Sequence, residues 1–109
     1  MAIELPIPIA AYFALSNARK VDACVALFTG DAVVFDEGRE RRGPSGVRAW
    51  MEEVIKKYRP TADAIRFAER DGRTIVTASV SGDFPGSPIK LRYEFSLAEE
   101  KIARLEIRL

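Results

Sequence analysis

The sequence predicts an α+β fold: a curved antiparallel sheet packed on three N-terminal helices. Two observations carry this. Up to Pro60 the apolar residues recur at helical spacing, and beyond it they alternate with polar ones. Asp71-Gly72, a dipeptide suited to a two-residue hairpin turn, then separates two alternating runs. Helices first and strands afterwards, without β-helix-β alternation, argue against a parallel sheet.

Pro6 and Pro8 suit the start of a helix rather than its interior, and Ile9, Tyr12, Phe13 and Ser16 follow at helical spacing. Asn17-Ala18-Arg19-Lys20 ends that helix. Val21, Cys24, Val25 and Phe28 form a second apolar stripe, stopped by Gly30. One early strand is expected over Asp31–Asp36. The densest basic cluster, Arg39-Glu40-Arg41-Arg42, reads as a solvated loop. Gly43-Pro44-Ser45 then opens a third helix, and Pro60 stops it. Its apolar stripe is Val47, Trp50, Met51, Val54, Ile55 and Tyr58. The opposite face pairs Glu52 with Lys56 and Glu53 with Lys57 in the favourable acid-first order.

Four strands are expected after Pro60. Ala64–Arg70 and Arg73–Gly82 flank the Asp71-Gly72 turn, and Phe84-Pro85-Gly86-Ser87-Pro88 makes a longer one. Leu91, Tyr93, Phe95 and Leu97 share one face of the next strand. In the last strand Ala103, Leu105, Ile107 and Leu109 face inward, with Ile102, Arg104, Glu106 and Arg108 outward. A loop at Ala98-Glu99-Glu100 sets Phe95 opposite Ala103, Glu94 opposite Arg104 and Arg92 opposite Glu106. A shift by two would oppose Glu94 to Glu106 and Arg92 to Arg108, like charges that destabilise a ladder.

At 109 residues, with 48% hydrophobic and 30% charged, the chain is expected to form one domain spanning residues 1–109. A net charge of +1 with no basic stripe argues against nucleic-acid binding. No apolar run approaches membrane-spanning length, and Glu4, Pro6 and Pro8 interrupt the only candidate leader. Cys24 is the only cysteine, so no intramolecular disulfide forms and a cytoplasmic setting is expected. The chain has no histidine. That removes the commonest general base, the Ser-His and Cys-His nucleophile pairs and any Cys/His zinc site. No metal or cofactor is expected. Carboxylate, phenol and an apolar pocket remain.

Asp36 closes the apolar run Ala32-Val33-Val34-Phe35 and shares its strand face with Val34. In a pocket its carboxyl pKa would rise by desolvation, which suits a base that takes a proton from carbon beside a carbonyl. The other reading is a turn carboxylate paired with Arg39 or Arg41. Glu37 should point the opposite way along the strand. Periodicity makes Tyr12 a core aromatic. Trp50, Tyr58 and Phe95 lie on stripes that must face one another, as core or as cavity lining.

Several segments then combine in order and spacing: the helix with Tyr12, VALF-x-x-DAVVFDEG (Val25 to Gly38), RGPSGVRAW (Arg42 to Trp50) and YEFSLAEEKIARLEI (Tyr93 to Ile107). In these the chain resembles the nuclear transport factor 2-like superfamily, with its cystatin-like fold, which includes ketosteroid isomerase and the SnoaL-type polyketide cyclases. The resemblance implies a cone of curved sheet open at one end to an apolar pocket, and a homodimer. Against ketosteroid isomerase, Tyr12 looks like the catalytic tyrosine and Asp36 like the general base. The second oxyanion donor, a protonated aspartate in that enzyme, falls on Tyr93, whose phenol can also donate. The resemblance thus implies Asp36 and Tyr12 as catalytic residues, with Trp50, Tyr58, Tyr93 and Phe95 around a hydrophobic cyclic carbonyl substrate. Two rivals share the fold: a binder of an apolar small molecule without catalysis, and a dimerisation module with a vestigial pocket. The outer sheet face, with Arg92, Glu94, Arg104 and Glu106, is the expected dimer contact.

Overall fold

Residues 3–109 are described by the structure, a computed structural model. Three helices, α1 (Ile7–Asn17), α2 (Val21–Val25) and α3 (Gly43–Tyr58), lie against six strands. The strands are β1 (Phe28–Asp36), β2 (Arg39–Arg42), β3 (Thr61–Arg70), β4 (Arg73–Ser81), β5 (Ile89–Ala98) and β6 (Lys101–Arg108). Their order across the sheet is β2-β1-β6-β5-β4-β3. The C-terminal four form the expected meander, and the Asp71-Gly72 turn has both residues at positive φ (53° and 75°). One pairing is parallel, β1 against β6. It makes the sheet mixed and joins the early strands to the meander.

The helical half follows its signals. Pro6 caps α1 and Pro8 sits in its first turn. Pro44 lies in the first turn of α3, which ends at Tyr58 with Arg59 left-handed and Pro60 next. Ile9, Cys24, Val34, Val47, Val76, Phe95, Ile102 and Leu105 are fully buried between helices and sheet. Asn17 fastens α1 to β3: its side chain donates to the Ala62 carbonyl at 2.8 Å and accepts from the Ala62 amide at 3.0 Å.

Three expectations need correction. Phe28 does not continue α2; the helix ends at Val25, and Phe28 starts β1 opposite Ile102. The bond from the Ile102 amide to the Leu27 carbonyl, 2.8 Å, draws that segment into the sheet. Second, Arg39–Arg42 is the edge strand β2, not a solvated loop. Glu37 and Gly38 both take positive φ (54° and 73°), so the chain folds straight back and sets Arg39 opposite Asp36.

Third, the β5/β6 register is the one with like charges opposed: Glu94 faces Glu106 and Arg92 faces Arg108. Two causes act together. Glu99 and Glu100 form a two-residue turn at positive φ (52° and 63°), so Ala98 pairs with Lys101 instead of looping out. A bulge between Ser96 and Leu97 then leaves Ala103 as the extra residue. The bulge also reverses facing at the start of β6, so Ile102 turns inward and is fully buried. Neighbouring arginines offset the repulsion. Arg108 reaches Glu94 at 3.0 Å and also contacts Glu106, Arg104 reaches Glu106 at 3.3 Å, and Arg73 reaches Glu94 at 3.6 Å.

Candidate functional site

The sheet, α1 and α3 line a cavity of about 620 Å³ that is partly open to solvent. Its wall is mostly apolar. Tyr12 from α1, Asp36 from the end of β1, Trp50 and Tyr58 from α3 and Tyr93 from β5 all reach it. Phe95 does not. It is fully buried behind the wall, stacked on Tyr93 with centroids 6.3 Å apart and planes at 12°. Alternation along β5 gives both rings the same face; depth in the cone separates them.

Tyr12 sits in an aromatic cluster, edge-on to Phe13 at 5.3 Å and Phe95 at 5.6 Å, with Tyr93 at 6.4 Å. Only 4% of Tyr12 and 6% of Tyr93 is exposed. Burial pushes both phenols up, Tyr12 well above its ordinary value, and the Asp36 charge pushes in the same direction. Both therefore stay protonated at neutral pH and can donate hydrogen bonds.

Asp36 is half-buried. The indole Nε1–H of Trp50 donates to its Oδ2 at 2.9 Å. Burial raises its carboxyl pKa, the Trp50 hydrogen bond opposes that rise, neighbouring Glu37 adds to it, and Arg41 opposes it more weakly. No ion pair forms with Arg39 or Arg41; both arginines reach Glu53 instead. Glu53 therefore does not pair with Lys57, whose ammonium lies over the Tyr58 ring at 5.0 Å.

Glu37 also departs from expectation. The turn at its positive φ takes it out of strand alternation, and it lines the same cavity as Asp36. Its carboxylate accepts from the Tyr58 hydroxyl at 2.8 Å. The β4–β5 loop supplies a further wall: Phe84 meets Tyr58 edge-on at 5.9 Å. Gly82 allows this approach, because a Cβ there would come within 2.6 Å of the Tyr58 carbonyl oxygen. A Gly at the end of an alternating strand was the only sequence sign of it. Among the described residues no group of three or more His, Cys, Asp or Glu side chains is placed to hold a metal. None of the described helices is long and apolar enough to cross a membrane.

The SnoaL-like domain profile matches residues 9–105, most of the chain. The protein belongs to the SnoaL-like family. A polyketide cyclase-labelled protein from Sinorhizobium meliloti is 36% identical, with a TM-score of 0.92 over 95% of each chain. A second protein so labelled, from Pseudomonas putida, is 23% identical with a TM-score of 0.81, covering 99% of this chain and 92% of that one. A Catenulispora acidiphila protein with a ketosteroid isomerase-like fold, solved with trimethylamine, superposes with a TM-score of 0.84 at 15% identity, over 97% of this chain and 87% of its own. No curated protein sequence matches. The SnoaL-like chain thus has the nuclear transport factor 2-like, cystatin-like fold: three helices against a curved, unclosed mixed sheet.

Proposed function

We propose that this SnoaL-like protein catalyses proton transfer at carbon on a hydrophobic cyclic carbonyl compound, with Asp36 as the base. One observation carries the reading. A half-buried carboxylate, held by Trp50 and with no ion pair among the described residues, shares an apolar cavity with two protonated phenols. In the proposed step Asp36 takes a proton from the carbon beside the carbonyl, and the C–H electron pair moves to the carbonyl oxygen. Tyr12 and Tyr93 donate hydrogen bonds to that oxygen as negative charge develops there. Return of the proton to another carbon completes an isomerisation. In an aldol-type cyclisation the enolate carbon instead attacks a second carbonyl carbon, and that carbonyl's oxygen takes the proton back from Asp36.

The test is exchange of ketone α-protons in heavy water, followed by NMR over a panel of cyclic ketones. Wild-type protein should accelerate exchange, and Asp36→Asn should abolish it while ligand binding and fold persist. Binding without accelerated exchange would leave the apolar-ligand binder as the function.

The proposal includes a homodimer through the outer sheet face. The helices leave that face uncovered, and Phe35 and Ile75 are only half-buried on it. Its carboxylates and arginines alternate, which suits a twofold contact. Sedimentation at micromolar concentration should give a dimer; a monomer would overturn this part.

A further inference from the structure

Asp36 lines a second, smaller cleft of about 200 Å³, whose other walls include Arg39, Arg41, Glu53 and Lys57. The strand register places two of these cations beside it. Val34 pairs with Arg41 and Asp36 with Arg39, and directly opposed residues share a face of the sheet. Arg39 and Arg41 therefore point with Asp36 toward α3. Without another partner, the nearer guanidinium would pair with Asp36 and hold it as an inert ion pair.

Glu53 prevents this. Trp50 and Glu53 lie three residues apart on one face of α3, so a single helical turn sends an indole to Asp36 and a carboxylate to Arg41. The Arg41 guanidinium forks onto Glu53, with Nη1 to Oε2 at 3.0 Å and Nη2 to Oε1 at 2.8 Å, and Arg39 approaches the same carboxylate at 3.7 Å. Arg41 keeps one donor in reserve. Its Nε is buried with no hydrogen-bond partner among the described residues, and its side chain is 13% exposed.

We propose that Glu53 is a clamp on Arg41, holding its guanidinium off Asp36 and so leaving the carboxylate free to act in the large cavity. The inference rests on Asp36 being the working group of that cavity. Glu53 and Arg41 are positioning residues, since neither lines it. The remaining charged neighbours do not replace the clamp. Glu37 is engaged by Tyr58, and Lys57 lies over the Tyr58 ring. Across the cavity Tyr12 and Tyr93 face Asp36 as neutral phenols, and Arg108 is held by Glu94 and Glu106.

The test reads Asp36 itself and needs no substrate. Trp50 is the chain's only tryptophan, so its single indole N–H resonance, with the Asp36 side-chain carbon, reports the Asp36 titration by NMR. Glu53→Gln should lower the Asp36 proton affinity about tenfold or more, as a freed cation within contact distance does. Glu53→Asp, which keeps the charge, should stay near wild type. Arg41→Gln should raise the affinity, and adding Glu53→Gln to it should change little further. An unchanged midpoint in Glu53→Gln would overturn the clamp. So would an equal fall in the Arg41→Gln background, since Glu53 would then act only as a distant charge. Failure of ketone exchange in the wild type, with these shifts present, would instead count against the enzyme reading alone.

Discussion

The indole of Trp50 donates to Asp36 at 2.9 Å, so the one tryptophan of the chain orients a carboxylate that faces both clefts. A hydrogen bond to a charged group contributes about 1.5–3 kcal/mol, and here it favours the ionised form. Trp50→Phe should therefore raise the Asp36 midpoint and move the acid limb of ketone exchange to higher pH. Exchange at neutral pH should fall about tenfold as the carboxylate loses its fixed orientation. An unmoved acid limb would show that the indole does not govern Asp36.

Holding that carboxylate in a partly apolar site has a cost to folding. Burial raises the Asp36 carboxyl above the ordinary carboxylate range, so between that range and its folded-state midpoint the native chain binds more protons than the unfolded one. Stability contributed by the protonated form is fully present below the ordinary carboxylate midpoint and is lost as pH rises through the raised one. Asp36→Asn, which cannot ionise, should melt above wild type at pH 7 and level with it near pH 3.5. Equal melting temperatures at both pH values would contradict this sign.

The opposed Glu94 and Glu106 give a test on the far side of the sheet. Arg108 contacts both and is half-exposed. Exposed pairs contribute about 0.2–1 kcal/mol, but removing this cation also leaves two facing carboxylates. Arg108→Gln should cost about 1 kcal/mol in denaturant unfolding. Adding Glu106→Gln to that variant should recover part of the loss, and a further loss would argue against the bridged-carboxylate account.

The periods were legible; the turns were read unevenly. Asp71-Gly72 announced its hairpin, whereas Glu37-Gly38 and Glu99-Glu100 adopt the same positive-φ geometry with less suggestive residues. From the first came the missed strand β2 and with it the inward aim of Arg39 and Arg41. From the second, together with the bulge that leaves Ala103 over, came the wrong β5/β6 register. A pairwise charge rule chose wrongly there because it weighed only directly opposed residues, and the arginines that neutralise Glu94 and Glu106 sit diagonally or two residues along the same strand. At the cavity, order and spacing brought Tyr12, Asp36, Trp50, Tyr58, Tyr93 and Phe95 around one pocket, which all but Phe95 reach. They did not place the Trp50–Asp36 bond or the Glu53–Arg41 fork, because both depend on how α3 rotates against β1 and β2.

Cys24 offers a simple probe of the core. It is fully buried, and burial pushes its thiol up to about 11. Thiolate is the reactive form, so at pH 7–8 the native protein should resist thiol reagents and react fully once unfolded. Labelling at the rate of a free thiol under native conditions would show that α2 opens easily from the sheet.

The last prediction concerns the two phenols. Tyr12 and Tyr93 approach the cavity from opposite layers, helix and sheet, with ring centroids 6.4 Å apart. If both donate to one developing oxyanion, each acts only where charge appears, so its loss should lower turnover more than ligand affinity. Tyr12→Phe should slow ketone exchange by about 10²–10³-fold, the range for one oxyanion donor. Its ring stays in the aromatic cluster, so the melting temperature should barely move. Tyr93→Phe should slow exchange in the same sense. The double variant should exceed the product of the single effects, because the phenol that compensates in each single variant is then gone as well. Full activity in Tyr12→Phe would return Tyr12 to the role that helical periodicity alone assigns it, a core aromatic. Asp36 would then have to be matched with Tyr93 alone.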